Sequence, residues 1–294
     1  MNILSIGEIL WDIIEGTPHL GGAPFNVSAH LAKMGAKAHI ASSVGHDELG
    51  IKAWTHAKDL GLQTTYLTKV EHPTGTVPVT LNNGQPSYTI TENTAWDHFQ
   101  LSNAQIDHLK TIAWDCIIFG TLAQRTADNR AVFDQIFDGI QVKEVFYDVN
   151  LRQDYYSKAI IESSLERASI FKLNDEEVDI LAPLLFQKAM NFEDFAQACI
   201  QQFHIKAVCI TRGANGVLVV TADENYDAPG TKVTVADTVG AGDSFSAAFI
   251  YTYLRSGDFA KAAKIGCQLG AYVASQHGAI PEYSEKIKQL LVKG

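Results

Sequence analysis

Asp237-Thr238-Val239-Gly240-Ala241-Gly242-Asp243-Ser244-Phe245 opens the carboxy-terminal helical part of this chain. Apolar residues recur at helical spacing from Phe245 onward, so the stretch predicts a helix with Asp243 on its first turn. A Gly-Ala-Gly loop at that point leaves backbone N–H groups unpaired at the positive end of the helix dipole. This is an anion site, usually for phosphate, and Asp243 at its mouth could accept a proton from an attacking hydroxyl. The same residues also fit a plain loop-to-helix junction in which Asp243 only starts the helix.

The composition is that of an ordinary globular protein with an excess of acidic side chains. Of the 294 residues, 46% are hydrophobic and 19% are charged, and 33 Asp and Glu against 23 Lys and Arg give a formal net charge of -10. Nucleic acids and anionic membranes bind basic faces, so this balance argues against either as a main partner. An anionic substrate such as ATP must then be held by a local site and a metal ion.

The cysteines and the amino terminus bear on the compartment. No Cys-x-x-Cys pair occurs among Cys116, Cys199, Cys209 and Cys267, so neither a zinc site nor a redox motif is predicted, and we expect reduced, buried thiols. Residues 1–8 contain no basic region and no cleavage site, which argues against a signal peptide. No apolar run approaches the ~20 residues that a membrane helix needs. We therefore expect a soluble, cytoplasmic protein.

Strands and helices alternate along most of the chain, which predicts an α/β fold with a mostly parallel sheet covered on both faces. Buried strands are predicted over residues 3–7, 39–44, 116–120, 145–149, 170–173 and 208–211, and a further, antiparallel strand over 217–221. Helices are predicted near residues 26–35, 50–60, 129–137, 157–167, 176–181 and 192–203. No repeat, low-complexity tract or linker divides the chain, so we expect a single domain over residues 1–294.

Residues 64–98 break this rhythm. Val77, Val79 and Leu81 alternate with polar positions, and Asn82-Asn83-Gly84-Gln85 predicts a turn, so the segment is typical of a β-hairpin. A small antiparallel unit of this kind, with residues 12–20 as a second candidate segment, would cover a site at the edge of the parallel sheet as a lid. A simple elaboration of the sheet edge is the alternative.

Polar residues follow nearly every predicted strand, where ligands of open parallel sheets bind. The set is Asp12, Asn26, Asp148, Asn150, Arg152, Asn174, Glu177, Thr211, Arg212, Gly213, Asp237 and Asp243. Any one of them could be a turn or cap residue, and Asn174 could simply start a helix. Helix capping alone does not explain why polar residues follow nearly every predicted strand. Walker-type, dinucleotide, zinc-peptidase and nucleophile-elbow motifs do not occur in the sequence, which disfavours those chemistries.

Five segments occur together in an order that points to one family. They are residues 237–245, Gly21-Gly22-Ala23-Pro24-Phe25-Asn26 with its continuation to Gly35, and residues 44–50, 174–177 and 211–216. In this order they resemble the ribokinase (PfkB) family of carbohydrate kinases over essentially the whole chain. The resemblance implies a three-layer α/β/α fold, mostly parallel, with a small antiparallel β lid that can also pair two subunits as a homodimer.

Within that family the chain is most similar to fructokinases. Their sugar-side segments resemble residues 7–12, 22–26, 95–97, 119–123 and 148–152, and Ala23 stands where ribokinases usually carry Lys. The resemblance implies an ATP-dependent transfer of the γ-phosphoryl group to a primary hydroxyl of a ketohexose, with fructose and fructose 6-phosphate as the first candidates. The alternatives are a 2-keto-3-deoxygluconate kinase or another small-sugar kinase. Arg125, Arg152 and Lys172 are candidates to bind the carboxylate of such an acid.

The resemblance also implies a role for individual residues. Asp243 would be the base, and Gly240, Ala241 and Gly242 would form the anion hole. The sugar would be bound by Asp12, Gly22, Asn26 and Arg152, the last facing either sugar or phosphate. The nucleotide would be bound by Asn174, Glu177, Thr211, Gly213 and Gly216, with Glu177 ordering Mg²⁺ through water. A K⁺ ion would use Asp237, the backbone oxygens of Val239 and Val273, and the turn from Gln276 to Gly278. A catalytically silent sugar or nucleotide sensor is disfavoured because the base and the glycines are intact.

Overall fold

The structure is a computed structural model and describes residues 1–82 and 85–293. The strands of these residues are β1 (Asn2–Ile6), β2 (Leu10–Ile14), β3 (Thr17–Gly21), β4 (Lys37–Gly45), β5 (Leu67–Val70), β6 (Gly75–Asn82), β7 (Gln85–Tyr88), β8 (Trp114–Gly120), β9 (Val142–Asp148), β10 (Ile170–Asn174), β11 (Ala207–Thr211), β12 (Val217–Thr221) and β13 (Asn225–Ala228). The α-helices are α1 (Ala23–Lys33), α2 (Glu48–Asp59), α3 (Asn103–Thr111), α4 (Ala127–Phe137), α5 (Lys158–Leu165), α6 (Asp175–Phe186), α7 (Phe192–Phe203), α8 (Ala241–Ser256), α9 (Phe259–Ala274) and α10 (Glu285–Lys293).

The central sheet has the strand order β13-β12-β11-β10-β9-β8-β1-β4-β5. Within this order, each strand from β11 across to β5 pairs in parallel with its neighbour in the sheet. At the other edge, β12 runs antiparallel to β11 and β13 runs antiparallel to β12. The predicted mostly parallel sheet is therefore confirmed, together with the antiparallel strand over residues 217–221. The edge strands β5 and β13 were not predicted, because each is only four residues long and half exposed.

Both faces of the central sheet are covered by helices. On β8, Ile117 packs into a cluster with residues of α3 to α7, while its neighbour Ile118 packs with residues of α1, α8 and α9. Successive side chains of a strand point to opposite faces, so an unbroken apolar run such as Ile117-Ile118-Phe119 needs a helical layer on each side. The result is the predicted three-layer α/β/α architecture.

A separate small sheet has the strand order β3-β2-β6-β7. Its two antiparallel pairs, β2 with β3 and β6 with β7, are joined by parallel pairing of β2 with β6. Both candidate lid segments, residues 12–20 and 64–98, thus contribute strands to it. Within the second segment, however, β5 belongs to the central sheet, where Leu67 packs in one buried cluster with Ile40 of β4. The turn predicted at Asn83 and Gly84 lies outside the described residues.

Several polar residues collect at the carboxyl ends of the parallel strands, as the strand pattern predicts. Glu8 follows β1, Asp148 ends β9, Asn174 ends β10 and Thr211 ends β11. All four cysteines are buried, as predicted, and none of them is joined in a disulfide. Among the helices of the described residues, none has the length and apolar character needed to cross a membrane.

Candidate active site

The first turn of α8 is the place where the sequence predicts an anion site. Gly240 caps the helix with a φ of 76°, and a Cβ at this position would lie 2.6 Å from the Cα of Ala279, so only glycine fits. Among the described residues, no acceptor is found for the backbone N–H groups of Gly242 and Asp243. These donors stand at the positive end of the helix dipole and favour an anionic ligand.

Asp243 on this turn is held by a residue from the opposite end of the sequence. The side-chain amide of Asn26, in α1, donates a 2.8 Å hydrogen bond to Oδ2 of Asp243. Burial raises the pKa of Asp243 to about 6; Asn26 and Lys172 act against this rise, and the nearby Asp148 adds to it. A carboxyl group with a pKa near neutrality is suited to accept a proton during a reaction.

A buried ion pair lies behind the anion site. Lys172 of β10 stands opposite Asp148 of β9 in the sheet register, and its Nζ lies 3.0 and 2.9 Å from the two carboxylate oxygens. Ser246 of α8 donates a further 3.1 Å hydrogen bond to Asp148. Burial alone would lower the pKa of Lys172, but the carboxylates of Asp148 and Glu177 raise it above its usual value. Lys172 is therefore a fixed cation, already paired within the protein.

The same lysine lies close to the backbone of the anion site. A Cβ built on Gly242 would stand 3.6 Å from Nζ of Lys172, and the charge of Lys172 lowers the pKa of Asp243. The positive charge thus acts on the first turn of α8 from the side of the sheet. The sequence makes Lys172 a candidate partner for a substrate carboxylate, but the structure places its ammonium group in the buried pair with Asp148.

Asn174 and Glu177 form a reciprocal cap at the start of α6. Oδ1 of Asn174 accepts the backbone N–H of Glu177, and Oε2 of Glu177 accepts the backbone N–H of Asn174, each at 2.8 Å. The other oxygen of Glu177 accepts the backbone N–H of Leu151 at 2.7 Å, which ties the loop after β9 to α6. Asn174 is therefore the N-cap of α6, which agrees with the interpretation of Asn174 as a residue that starts a helix. Glu177 is buried, and burial raises its pKa.

The predicted sugar side lies between β1, the small sheet and α1. Gly22 has a φ of 105°, and a Cβ there would lie 2.3 Å from the carbonyl oxygen of Glu8, so the two backbones touch. Asp12 on β2 stands opposite His19 on β3, and burial raises its pKa, against the effect of His19 and Arg152. Glycine at position 22 is therefore required by the contact between these two backbone segments.

Arg152 is exposed beside these carboxylates. Burial raises the pKa of Glu8, Asp12 and Asp243, and the positive charge of Arg152 opposes that rise in each case. Arg152 therefore lies within electrostatic reach of all three carboxyl groups. Its Nη1 donates to the carbonyl of Leu151 at 3.0 Å, and no described residue forms an ion pair with it. Among the described residues of this region, Arg152 is the cation that remains available to a ligand.

Glu8 was not identified as a site residue from the sequence. It is 4% exposed, and burial raises its pKa to about 7, with Arg152 lowering it and Asp243 raising it further. With Asp148 and Asn150 it lines a cavity of about 20 Å³, which is room for one water molecule. One feature of the sequence could have identified it. The pair Gly7-Glu8 comes directly after β1, just as the predicted site residues come directly after other strands.

Arg125 is engaged in a structural pair. Its Nε and Nη2 donate to the two carboxylate oxygens of Asp97, each at 2.6 Å, and both side chains are buried. The guanidinium group lies 4.1 Å from the ring centre of Trp96 and 4.5 Å from that of Tyr155. This arrangement uses Arg125 to fix the segment after the small sheet, and its charge is already paired with Asp97.

The predicted nucleotide residues follow β11. Thr211 ends the strand and donates to the carbonyl of Leu173 at 3.2 Å, and a short 3₁₀ turn runs over Gly213–Asn215. A Cβ on Gly216 would lie 2.0 Å from the carbonyl oxygen of Ala228, so this turn packs directly on the segment after β13. An open groove beside it is lined by residues 225–231 together with Lys264 and Gln268 of α9.

The residues predicted for a monovalent cation lie together. Oδ1 of Asp237 accepts the N–H of Val239 at 3.0 Å, and Oδ2 accepts the N–H of Gly278 at 3.1 Å. The carbonyl of Val273 accepts the N–H of Gln276 at 2.9 Å. A carboxylate and backbone carbonyls are hard oxygen donors, the ligand type that an alkali cation takes. In the structure both carboxylate oxygens of Asp237 and the carbonyl of Val273 accept backbone N–H groups. Within the described residues, no group of three or more His, Cys, Asp or Glu side chains could hold a metal ion.

Comparison with known proteins adds independent information. A family model described as pfkB family carbohydrate kinase matches residues 10–286. The chain is 27% identical to the fructokinase of Escherichia coli, over 83% of this chain and 82% of that protein. It is also 27% identical to the ATP-dependent ribose-1-phosphate kinase of Halopiger xanaduensis, over 95% of this chain and 94% of that protein.

A solved structure supports the fold. The fructokinase of Vibrio cholerae O395, crystallised with fructose, ADP and a calcium ion, superposes with a TM-score of 0.81. The alignment covers 95% of this chain and 94% of that one at 22% sequence identity. At this sequence identity the likeness is one of fold.

Proposed function

Because the chain belongs to the pfkB family of carbohydrate kinases, and is therefore a phosphotransferase with an alcohol group as acceptor, we propose that it phosphorylates a ketohexose. Fructose is the first acceptor and fructose 6-phosphate the product. The observation that carries this proposal is the 2.8 Å hydrogen bond from Asn26 to Asp243. It joins the start of α1, beside the sugar-side residues, to the anion-binding end of α8.

Asp243 is the base in this proposal. Its carboxylate takes the proton of the primary hydroxyl, whose oxygen bonds to the γ-phosphorus while the bond from that phosphorus to the bridging oxygen of ADP breaks. Gly240, Ala241 and Gly242 form the anion hole, in which the free N–H groups of the first turn of α8 stabilise the transferring group. Lys172 adds positive charge beside Gly242, and its pairing with Asp148 keeps that charge in place.

The sugar is bound on the other side of Asp243. Asp12 accepts hydrogen bonds from sugar hydroxyls, Gly22 permits close approach to the backbone, and Asn26 both orients Asp243 and contacts the sugar. Arg152 faces Glu8, Asp12 and Asp243 together, so in this proposal it lies at the junction between sugar and phosphate. Neutral hydroxyls suit a site whose other charged groups are carboxylates.

The nucleotide lies along the ends of β10 and β11. Thr211, Gly213 and Gly216 line it, and Asn174 and Glu177 order its triphosphate. Glu177 would hold a Mg²⁺ ion through water, and that ion, bound with ATP, would neutralise negative charge on the triphosphate. We further propose that K⁺ occupies the oxygen-rich turn around Asp237, Val239, Val273, Gln276 and Gly278.

The acceptor is tested with a panel of sugars. Fructose, ribose, ribose 1-phosphate and 2-keto-3-deoxygluconate are compared by kcat/KM for ADP release with Mg²⁺ and ATP. Fructose 6-phosphate is identified by coupling to its isomerase and to glucose-6-phosphate dehydrogenase. We expect the highest kcat/KM with fructose; an equal or higher value with any other acceptor overturns the choice of sugar while leaving the kinase reaction intact.

The second candidate acceptor is 2-keto-3-deoxygluconate, and one observation favours it. Arg152 is an exposed guanidinium near the proposed sugar site without an ion-pair partner among the described residues. If it binds the acid's carboxylate, Arg152→Gln lowers kcat/KM for that acid by ~10-fold or more relative to fructose. Arg125→Gln is the matched comparison, since Arg125 is already paired with Asp97.

Three further parts of the proposal concern the whole molecule. The small sheet acts as a lid over the sugar. It also pairs two subunits as a homodimer, and the side chains of Ile14 on β2 and Tyr88 on β7, both more than 40% exposed, support a contact between subunits at this sheet. A cytoplasmic location agrees with the four unbonded cysteines. A silent sensor would bind sugar without transfer in the presence of Mg²⁺, and the intact turn around Asp243 argues against it.

A further inference from the structure

A buried histidine links the acceptor side of the site to its anion side. His30 lies on α1 one helical turn after Asn26 and is fully buried. Its Nε2 stands 2.9 Å from the carbonyl oxygen of Ala279, and its Nδ1 stands 2.6 Å from the hydroxyl of Tyr283. Neither the fold nor the proposed chemistry described so far requires a polar side chain at this buried position.

The two partners fix the protonation state of the ring. A carbonyl can only accept, so Nε2 carries the proton and donates to Ala279, and Nδ1 accepts the hydroxyl proton of Tyr283. Burial lowers the pKa of His30 to about 4, with the charge of Lys33 lowering it further and the carbonyl of Ala279 raising it. The ring is therefore neutral near pH 7, which is the form that these two hydrogen bonds need.

The carbonyl that His30 holds belongs to the residue that backs the anion site. A Cβ on Gly240 would lie 2.6 Å from both Cα and Cβ of Ala279, so the two backbones are in direct contact. The neighbouring Gly278 donates to Asp237 at the other end of the same turn. The segment around Ala279 is thus wedged between α1 and the turn that caps α8.

We propose that His30 is a positioning residue of the transfer reaction: by holding the Ala279 carbonyl against α1, it sets where the Gly240 turn stands relative to Asn26 and Asp243. Asn26 fixes the base directly, and His30 fixes the anion hole through Ala279. Both side chains lie on the same face of α1, four residues apart, so one helix aligns both halves of the site. This inference rests on the proposed role of the Gly240 turn as the anion hole.

The test compares two replacements that differ in reach. Glutamine places its amide nitrogen about where Nε2 stands and can still donate to Ala279, whereas asparagine is too short. We expect His30→Gln to keep kcat within ~3-fold of wild type. His30→Asn should lower kcat by ~10- to 100-fold, because a displacement of about 1 Å can have an effect of that size. KM for sugar and ATP should change by less than ~3-fold in both, since binding groups stay in place.

Two further variants separate positioning from general loosening. Tyr283→Phe removes only the hydrogen bond to Nδ1, so we expect a lower melting temperature with an unchanged kcat. Ala279→Gly loosens the backbone at the contact with Gly240 and should lower kcat several-fold, and it serves if His30→Asn does not fold. The inference is overturned if folded His30→Asn or Ala279→Gly turns over like wild type. It is equally overturned if His30→Gln or Tyr283→Phe loses as much kcat as His30→Asn.

Asp243→Asn, measured beside these variants, separates the two levels of the argument. If Asp243→Asn keeps its turnover, the transfer site itself is misassigned, whatever His30 does. If Asp243→Asn is inactive while the His30 variants are unimpaired, only the inference about His30 fails.

Discussion

Replacing the proposed base should make the protein more stable at neutral pH while removing its activity. Burial raises the pKa of Asp243 from 3.8 to about 6. The folded protein therefore binds this proton more tightly than the unfolded chain. The contribution of Asp243 to the free energy of unfolding is thus fully present below pH 3.8 and is lost as the pH rises through about 6. The gap of about 2 between the two pKa values corresponds to about 3 kcal/mol once both forms are ionised.

Asp243→Asn removes this penalty because the amide has nearly the same shape and is never charged. Its side-chain oxygen can still accept the hydrogen bond from Asn26. We expect the free energy of unfolding at pH 8 to rise by up to about 3 kcal/mol, and at pH 5 by about half as much, since the wild-type carboxyl is then largely protonated in the fold. Turnover should fall at least ~100-fold, while ATP still binds.

Thermal and denaturant unfolding at pH 5 and pH 8 measure the stability, and ADP release measures the activity. For a chain of this size, the gain at pH 8 should raise the melting temperature by several degrees. Asp107→Asn is the control, because Asp107 is an exposed carboxylate on α3. A melting temperature at pH 8 equal to or below that of wild type refutes the reasoning, and so does a gain that is the same at both pH values. Wild-type turnover would reject Asp243 as the base.

Two further predictions follow from the same groups. The kcat/KM of the wild type should fall about tenfold per pH unit below about pH 6, as Asp243 becomes protonated. In Asn26→Ala this fall should begin at a higher pH, because Asn26 lowers the pKa of Asp243. A wild-type kcat/KM that begins to fall only near pH 4 would contradict this. Lys172→Met should lower the free energy of unfolding by about 3–5 kcal/mol, since it leaves Asp148 charged and buried without its partner. Denaturant titration measures the loss, and a loss below ~1 kcal/mol would show that Asp148 is satisfied in another way.

Local pattern alone determined much of the fold. Glycine at position 240 and the spacing of apolar residues after Asp243 were enough to predict the start of α8. A glycine in the left-handed conformation and a helical repeat both depend on only a few consecutive residues. Apolar runs such as Ile117-Ile118-Phe119 predicted buried strands for the same reason. The order of the motifs along the chain was specific enough to identify the family.

Only the tertiary structure decided which distant residues meet. Periodicity states which face of a strand or helix is buried but not its neighbour, so neither the pairing of β2 with β6 nor the place of β5 could be read from the sequence. The contact of Asn26 with Asp243 spans 217 residues, and the pair of Asp148 with Lys172 depends on the register of two strands. The surroundings of Glu8 were likewise set by the tertiary structure. Its raised pKa comes from burial and from charges brought near by folding, which no local pattern contains.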